Sequence, residues 1–254
     1  MEIMEHWRLF QDSPADGETN MAADFNLLRE AENGATPALR IYGWSRPTLS
    51  IGYAQSADDD VDIEFAERNA IPVVRRPTGG RAVLHDAELT YAVAMPDSSA
   101  FHGSLSQVYE FVTDALRQAI LSFGVKLDTS VSDAPLRSNP CCFATRTRSE
   151  ISIGGRKVSG SAQRRLKRSA LQHGSVILSI DTQKYLSCLK WKSEAAKHNA
   201  AMKMGGLNEL GVDITREALS LAIVEAFEGL YNISFTYEGS AIIHAGGQVS
   251  TAGV

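Results

Sequence analysis

The sequence predicts an α/β domain on three observations. Hydrophobic residues make up 44% and charged residues 22% of 254, enough for one sizeable core. Short strand-like runs alternate with helix-like periodicities along the chain. No repeat and no linker-like stretch divides it, so one domain is the simplest organisation.

The elements follow in order. In "TNMAADFNLLREAEN" (19–33), Met21, Phe25, Leu28 and Ala31 or Glu32 recur at helical spacing, with Thr19 or Asn20 as N-cap. "ALRIYGW" (38–44) and "TLSIGYA" (48–54) read as paired strands joined by "SRP". "DIEFAERNA" (62–70) is a short helix opened by Asp62. "IPVVRR", "RAVLH" and "ELTYAVAM" read as three strands. The clearest helix is 104–124, where Leu105, Val108, Val112, Ala115, Leu116, Ala119, Ile120 and Phe123 form one stripe before Gly124. A long polar loop, "DTSVSDAPLRSNPCCFATRT", comes next. "SEISIGGRKVSGSAQRR" and "SALQHGSVILSI" suggest two or three antiparallel strands, and helices follow near 181–190 and over 215–232. The tail "SAIIHAGGQVSTAGV" is small and polar, so the folded domain is placed at 1–238 and a flexible tail at 239–254.

Composition narrows the function. No run approaches the roughly 18 apolar residues of a membrane span. The start, "MEIMEHWRLF", lacks a signal pattern. Cys141, Cys142 and Cys188 have no metal-site spacing, and three cysteines fit a reducing cytoplasm better than a disulfide framework. Neither a metal site nor a nucleic-acid or membrane partner is expected. From Arg137 to Arg168, nine Lys/Arg face one acid, Glu150. This window carries +8, leaving −13 on the rest of a chain whose net charge is −5. It marks either a face for an anionic partner or a solvated basic hairpin.

Three stretches could carry chemistry. "RRPTGGRAVLHD" (75–86) brings Arg75 and Arg76, forks for carboxylate, phosphate or carbonyl oxygens, beside Gly79 and Gly80 and close to His85. It is neither a P-loop nor a G-x-G-x-x-G turn. On its own it reads as a ligand loop or as a structural Gly-Gly turn, and His85 as a proton-handling or a structural histidine. "GGRKVSGSAQ" places Lys157 before a Gly160-Ser161-Ala162 turn, facing a bound carbonyl or simply solvent. "NPCCFAT" sets two cysteines in the basic window, where a thiolate would be stabilised. Neighbours on a strand face opposite ways, so one cysteine packs with Phe143 while the other is presented. Cys188 reads as packing.

In order, "RRPTGGRAVLHDAELTYAV", "CFAT", "GRKVSGSAQ" and "LQHGSVIL" resemble the lipoate–protein ligase A and octanoyltransferase family, and "LRIYGWSRPTLSIGYAQ" resembles its N-terminal strands. The resemblance runs from about Trp7 to Tyr231. It implies a single biotin/lipoate ligase-like domain of the α+β type, with a mixed, mostly antiparallel sheet flanked by helices. It further implies that Arg76, Thr78, Gly79 and Gly80 line an acyl pocket with His85 beside it. Lys157 would contact the reacting carbonyl, Gly160, Ser161 and Ala162 would border the site, and His173 would stand on the neighbouring strand.

Two branches of that family differ chemically. Ligases activate lipoate with ATP and magnesium, and typically carry Asn-Asp where this chain has "CCF". Transferases pass an octanoyl group from a carrier thioester to a cysteine and then to a lysine, without cofactor. Cys142 matches the transferase cysteine, and about 75 residues after Leu178 are short for an accessory domain. The expectation is a cytoplasmic octanoyl-[acyl-carrier-protein]:protein N-octanoyltransferase of lipoate biosynthesis, working through a thioester intermediate. The alternatives are an ATP-dependent ligase and a non-catalytic lipoyl-binding module. The biotin-ligase loop G-R-G-R-x-G-R-x-W is absent. The implied partners are acyl carrier protein and the lipoyl domains of glycine cleavage H protein and 2-oxoacid dehydrogenase E2. Such partners are acidic, so Arg164, Arg165, Lys167 and Arg168 are expected to dock them at the border of the site.

Overall fold

The structure is a computed structural model that describes residues 4–97, 105–129, 140–144 and 150–242. Most of the predicted polar loop, Arg137, Arg146 and Arg148 of the basic window, and tail residues 243–254 lie outside the described residues. The chain runs β1 (Glu5–Gln11), α1 (Gly17–Glu32), β2 (Ala38–Tyr42), β3 (Thr48–Ile51), α2 (Ala57–Asp60), α3 (Ile63–Arg68), β4 (Val73–Arg75), β5 (Val83–His85) and β6 (Glu88–Pro96). It continues through α4 (Leu105–Leu121), a 3₁₀ turn at Cys142–Ala144, β7 (Ser152–Ile153), β8 (Arg156–Lys157), β9 (Ser159–Arg165) and β10 (Ser169–Ile177). Last come α5 (Thr182–Ser187), α6 (Glu194–Lys203), a 3₁₀ turn at Asn208–Leu210, α7 (Arg216–Tyr231) and β11 (Ile233–Tyr237).

A mixed six-stranded sheet, in the order β11-β1-β2-β6-β10-β9, forms the middle layer. β1 pairs in parallel with β11 and β2, while β6 pairs antiparallel with β2 and β10, and β10 with β9. Strand alternation sorts two cores. Leu39, Ile41, Leu89, Tyr91 and Val93 point to the face covered by α4 and α7. Ala38, Tyr42, Ala92 and Ala94 point to the face covered by α1. The alanines bring α1 close to the sheet, and its Leu27 and Leu28 are fully covered.

The sequence expectations hold for the α4 stripe from Val108 onward, the Asp62 cap of α3, the Thr215 cap of α7 and the β9–β10 hairpin. Others are corrected. Residues 38–44 and 48–54 do not form a hairpin, because β2 belongs to the large sheet and β3 to a separate one ordered β4-β3-β5. The N-cap of α1 is Asp16, whose carboxylate accepts from the Thr19 amide and hydroxyl. Strands β1 and β11 and helix α6 were not predicted. The packed chain continues to Ile242: Ser240 and the Ala241 amide both bind Asp12, and Ala241 is buried beside α1.

Since β4 and β5 flank β3, the Gly-Gly loop between them crosses over the end of β3 rather than reversing a hairpin. Gly52 lies directly beneath it, and a Cβ there would run into the Gly80 carbonyl oxygen, a backbone atom. Gly52→Ala is therefore expected to lower stability by about 1–3 kcal/mol, the usual range for overpacking. Urea denaturation reads this directly, and an unchanged midpoint would show that the loop can lift off β3.

Candidate active site

Of the two arginines of the loop, Arg76 is turned inward and Arg75 lies at the surface. Arg76 is buried and donates to Gly79 O, Arg81 O, Ser50 O and Ser50 Oγ at 2.7–3.2 Å. Arg75 donates to the carbonyls of Gly52, Tyr53 and Gln55. Of the oxygens these forks could hold, both hold backbone carbonyls, and the effect is to fix the loop's path. Gly80 has φ +94°, a left-handed conformation suited to glycine, and a Cβ there would sit 2.8 Å from the Arg76 guanidinium.

Beneath the loop is a small, largely apolar cavity of about 30 Å³. Met21, Tyr42, Trp44 and Val83 supply its apolar wall. Arg76, His85, Gly160, Ser161, Ala162 and His173 line it as the sequence indicated, and so does Cys142. Thr78, Gly79 and Gly80 do not line it. Thr78 is buried behind the wall, and the space around a Gly79 Cβ is open.

Both histidines are fixed from behind. His173 Nδ1 bonds Asp24 at 2.8 Å and Nε2 bonds Thr78 Oγ1 at 2.6 Å, so Nδ1–H donates to the carboxylate and the Thr78 hydroxyl donates to Nε2. Burial pushes His173 below its ordinary value against the pull of Asp24, leaving a neutral ring. Burial would raise Asp24, yet the His173 bond and the Arg40 charge keep it below the usual carboxylate range. His85 stacks on Trp44 at 3.9 Å, its Nδ1 bonded to Glu88 and its Nε2 to Ser50. Glu88 is likewise held low against its burial by His85, Ser175 and Thr90. Neither ring has a nitrogen left for proton transfer, so both histidines shape the cavity.

Cys142 opens the 3₁₀ turn and is partly exposed, whereas Cys141 and Cys188 are buried. The β-like stretch at Cys141, which bridges Ala82, and the turn that follows separate the two neighbouring thiols. Burial pushes Cys141 and Cys188 each up to about 11, which leaves them protonated at neutral pH. Lys157 is buried, with Nζ 2.9 Å from Cys142 O, 3.9 Å from Cys142 Sγ, and ion-paired to Glu150. Burial opposes its charge, but Cys142 and Glu150 hold the ammonium above its ordinary value. Gly160 lets the Lys157 stem and Phe143 approach; a Cβ there would meet Lys157 Cε and Phe143 Cζ at 3.3 Å. The next residue, Ser161, is gripped by Tyr91 and Tyr109.

The basic cluster expected at the site's border does not surround it. Arg164 is held by Pro77 O and packs near Phe25 and Tyr53. Arg165, Lys167 and Arg168 are exposed at the far end of β9, where Arg168 approaches Glu32 of α1. At about 3.3 Å per residue, Arg165 lies roughly 17 Å along the strand from Gly160. Sequence reasoning missed Trp44 and Ser50, which line the cavity, and Tyr91 and Asp24 behind it. Glu150 alone carried a signal, as the one acid in the basic window. Among the described residues, no cluster of His, Cys, Asp or Glu could hold a metal ion, and no helix is long and apolar enough to cross a membrane.

Residues 16–228 match the lipoyl protein ligase A/B catalytic domain. The chain belongs to this family. Octanoyltransferase LipM of Moorella thermoacetica is 37% identical over 245 residues, covering 92% of this chain and 90% of that protein. Octanoyltransferase LipM of Carboxydothermus hydrogenoformans is 36% identical over 230 residues, covering 88% and 84%. A crystal structure of lipoate-protein ligase A bound with ATP superposes with a TM-score of 0.79, at 22% identity over 95% of this chain and 92% of that one. The last likeness is one of fold: the lipoyl protein ligase A/B catalytic domain is the expected α+β domain, its mixed sheet flanked by helices.

Two outcomes test the site. Iodoacetamide near neutral pH should label Cys142 and spare Cys141 and Cys188, as read by peptide mass. Lys157→Met should slow that labelling by about tenfold, the scale of one nearby charge; equal rates would separate the ammonium from the thiol's reactivity. Stability should also depend on pH in two stages. His173 is neutral when folded but gains a proton below its ordinary 6.5 when unfolded, so stability falls as pH drops through 6.5. Asp24 and Glu88 are held ionised, so a second loss follows below their ordinary 3.8 and 4.5. A melting temperature that stays flat from pH 7.5 to 5 would count against a neutral His173.

Proposed function

We propose that this protein is an octanoyltransferase of protein lipoylation, moving an octanoyl group from a carrier thioester through Cys142 to a lysine of a lipoyl domain. The observation that carries this reading is Cys142 itself: a partly exposed thiol lining an apolar cavity, 3.9 Å from a buried ammonium. The likeness to octanoyltransferases at 37% and 36% identity supports it.

The Cys142 thiolate attacks the thioester carbonyl, the bond from that carbonyl to the carrier sulfur breaks, and the carrier thiol leaves with the proton Cys142 gave up. The lysine amine of the acceptor then attacks the acyl-cysteine carbonyl. An amide bond forms, the bond to Sγ breaks, and the amine's surplus proton returns to the sulfur. Lys157 stabilises negative charge on Sγ and lies within reach of a carbonyl oxygen bound there. The octanoyl chain lies along Met21, Val83 and Trp44, and the loop pinned by Arg75 and Arg76 keeps water from that wall. Both transfers are exchanges at a carbonyl, so they need neither ATP nor a metal. The donor is acyl carrier protein, the acceptors are glycine cleavage H protein and 2-oxoacid dehydrogenase E2 lipoyl domains, and the reaction runs in the cytoplasm.

Octanoyl-acyl carrier protein and an apo lipoyl domain, mixed with the enzyme without ATP or magnesium, should yield octanoylated lipoyl domain. Cys142→Ala should abolish both the product and an octanoyl mass on the enzyme, while Cys141→Ala should retain most activity. Transfer that required ATP and survived Cys142→Ala would make the protein a ligase.

A further inference from the structure

We propose that Glu150 is a positioning residue that keeps the Lys157 ammonium charged and at the sulfur while Cys142 carries the acyl group, an inference that rests on the transferase reading. Glu150 is the one acid between Arg137 and Arg168. Its side chain is 7% exposed and that of Lys157 1%, with Oε1 2.5 Å from Nζ. Buried charges of opposite sign in such contact each let the other stay ionised, and removing one leaves the other without compensation. A hairpin makes the pair. β7 and β8 set Ser152 opposite Lys157, the Gly154 and Gly155 amides in the turn both donate to Asp128, and the Val158 amide donates to Ile151 O. Glu150 and Lys157 thus enter the site from the two arms of one fixed hairpin.

The charge beside Lys157 changes during the reaction. In the free enzyme burial opposes the ammonium, and the charges of Cys142 and then Glu150 outweigh it. Once the acyl group is on Sγ the sulfur is a neutral thioester, and the larger of those two supports is gone. Among the described residues, Glu150 is the carboxylate ion-paired to Lys157. Other titratable groups nearby do not replace it. Cys141 and Tyr185 share the core that Cys142 packs against, and Tyr91 and Tyr109 reach Ser161 from β6 and α4. Burial raises all four, Cys141 to about 11 and Tyr91 to about 12, so none is an anion at neutral pH. Arg76, from the Gly-Gly loop, is a further cation near Cys142.

Deacylation is the step that depends on this support. The acceptor nitrogen bonds to the carbonyl carbon, the bond from that carbon to Sγ breaks, and its electron pair leaves on Sγ. The amine's surplus proton follows it there. Lys157 Nζ, 3.9 Å from Sγ, meets that charge only if it has kept its own proton. In the free enzyme, by contrast, Glu150 competes with the thiolate for the same ammonium. The two half-reactions therefore respond to Glu150 in opposite directions.

The test follows each half separately. Iodoacetamide reads the free thiol. Hydroxylamine discharges enzyme loaded from octanoyl-acyl carrier protein, read as loss of octanoyl mass, and it is uncharged above neutral pH, so its own titration does not enter. Wild-type discharge should be nearly flat from about pH 7 to 9, because the ammonium persists. Glu150→Gln should discharge about tenfold more slowly at the upper end and recover as pH falls, while its alkylation profile moves to lower pH. In a Lys157→Arg background, where the cation needs no support to stay charged, Glu150→Gln should leave discharge unchanged. Equal slowing of alkylation and discharge by Glu150→Gln at every pH would mean a merely structural role and overturn the proposal. A wild-type discharge rate that changes about tenfold over this range would do the same. So would discharge that quickens in Glu150→Gln as pH rises, which would make neutral Lys157 the group that takes the amine's proton. Wild-type enzyme that acquires no octanoyl mass would overturn the transferase reading itself, and the proposal with it.

Discussion

A guanidinium with no exposure to solvent, that of Arg40, holds the molecule's layers in register. It projects from β2 towards α1 and bonds Asp12 after β1, the Asn20 carbonyl and side-chain oxygen, and Asp24. Its other face lies 3.8 Å from the Tyr42 ring. Such a charge is tolerable only when every donor is met, and removing one partner of a buried pair typically costs about 3–5 kcal/mol. From Asp24 the bonding continues through His173 to Thr78 in the Gly-Gly loop, and from Asp12 it continues to Ser240 and Ala241. One ionic cluster therefore ties the first helix, the sheet, the C-terminal segment and the Gly-Gly loop.

The reactive end rests on a second buried cation with a different task. Lys157 is surrounded by the Cys142 carbonyl, Glu150 and the Phe143 ring, so its ammonium position is set from three sides. Arg40 has all its hydrogen bonds spent on structure, whereas Lys157 stands beside a sulfur that remains accessible. That contrast separates a cation that builds the fold from one that can act on a substrate. The histidines fall on the structural side of the same division, since each has both ring nitrogens engaged.

Much of the site was legible because it is written locally. A cysteine before Phe143, a lysine before Gly160-Ser161-Ala162 and a loop with Gly79 and Gly80 are contiguous signals, and Cys142, Lys157, Gly160, Ser161 and Ala162 do meet. The roles of Arg76 and Thr78 were not legible. Their partners lie elsewhere in the chain or in loop carbonyls, and nothing in "RRPT" says whether a fork faces a ligand or the backbone. The placement of Arg165 and Arg168 was not legible on the same ground: closeness in sequence to Gly160 became distance along an extended strand.

Periodicity determined the α4 stripe, caps determined the starts of α3 and α7, and ordered motifs determined the family, because each is a property of neighbouring residues. The tertiary structure alone decided that β2 and β3 belong to different sheets and that β1 and β11 are parallel neighbours. It alone also set the inward direction of Arg76 and paired Glu150 with Lys157. Pairing partners far apart in the chain are chosen by which buried donors and charges can be satisfied together, and that choice exists only once the layers are assembled.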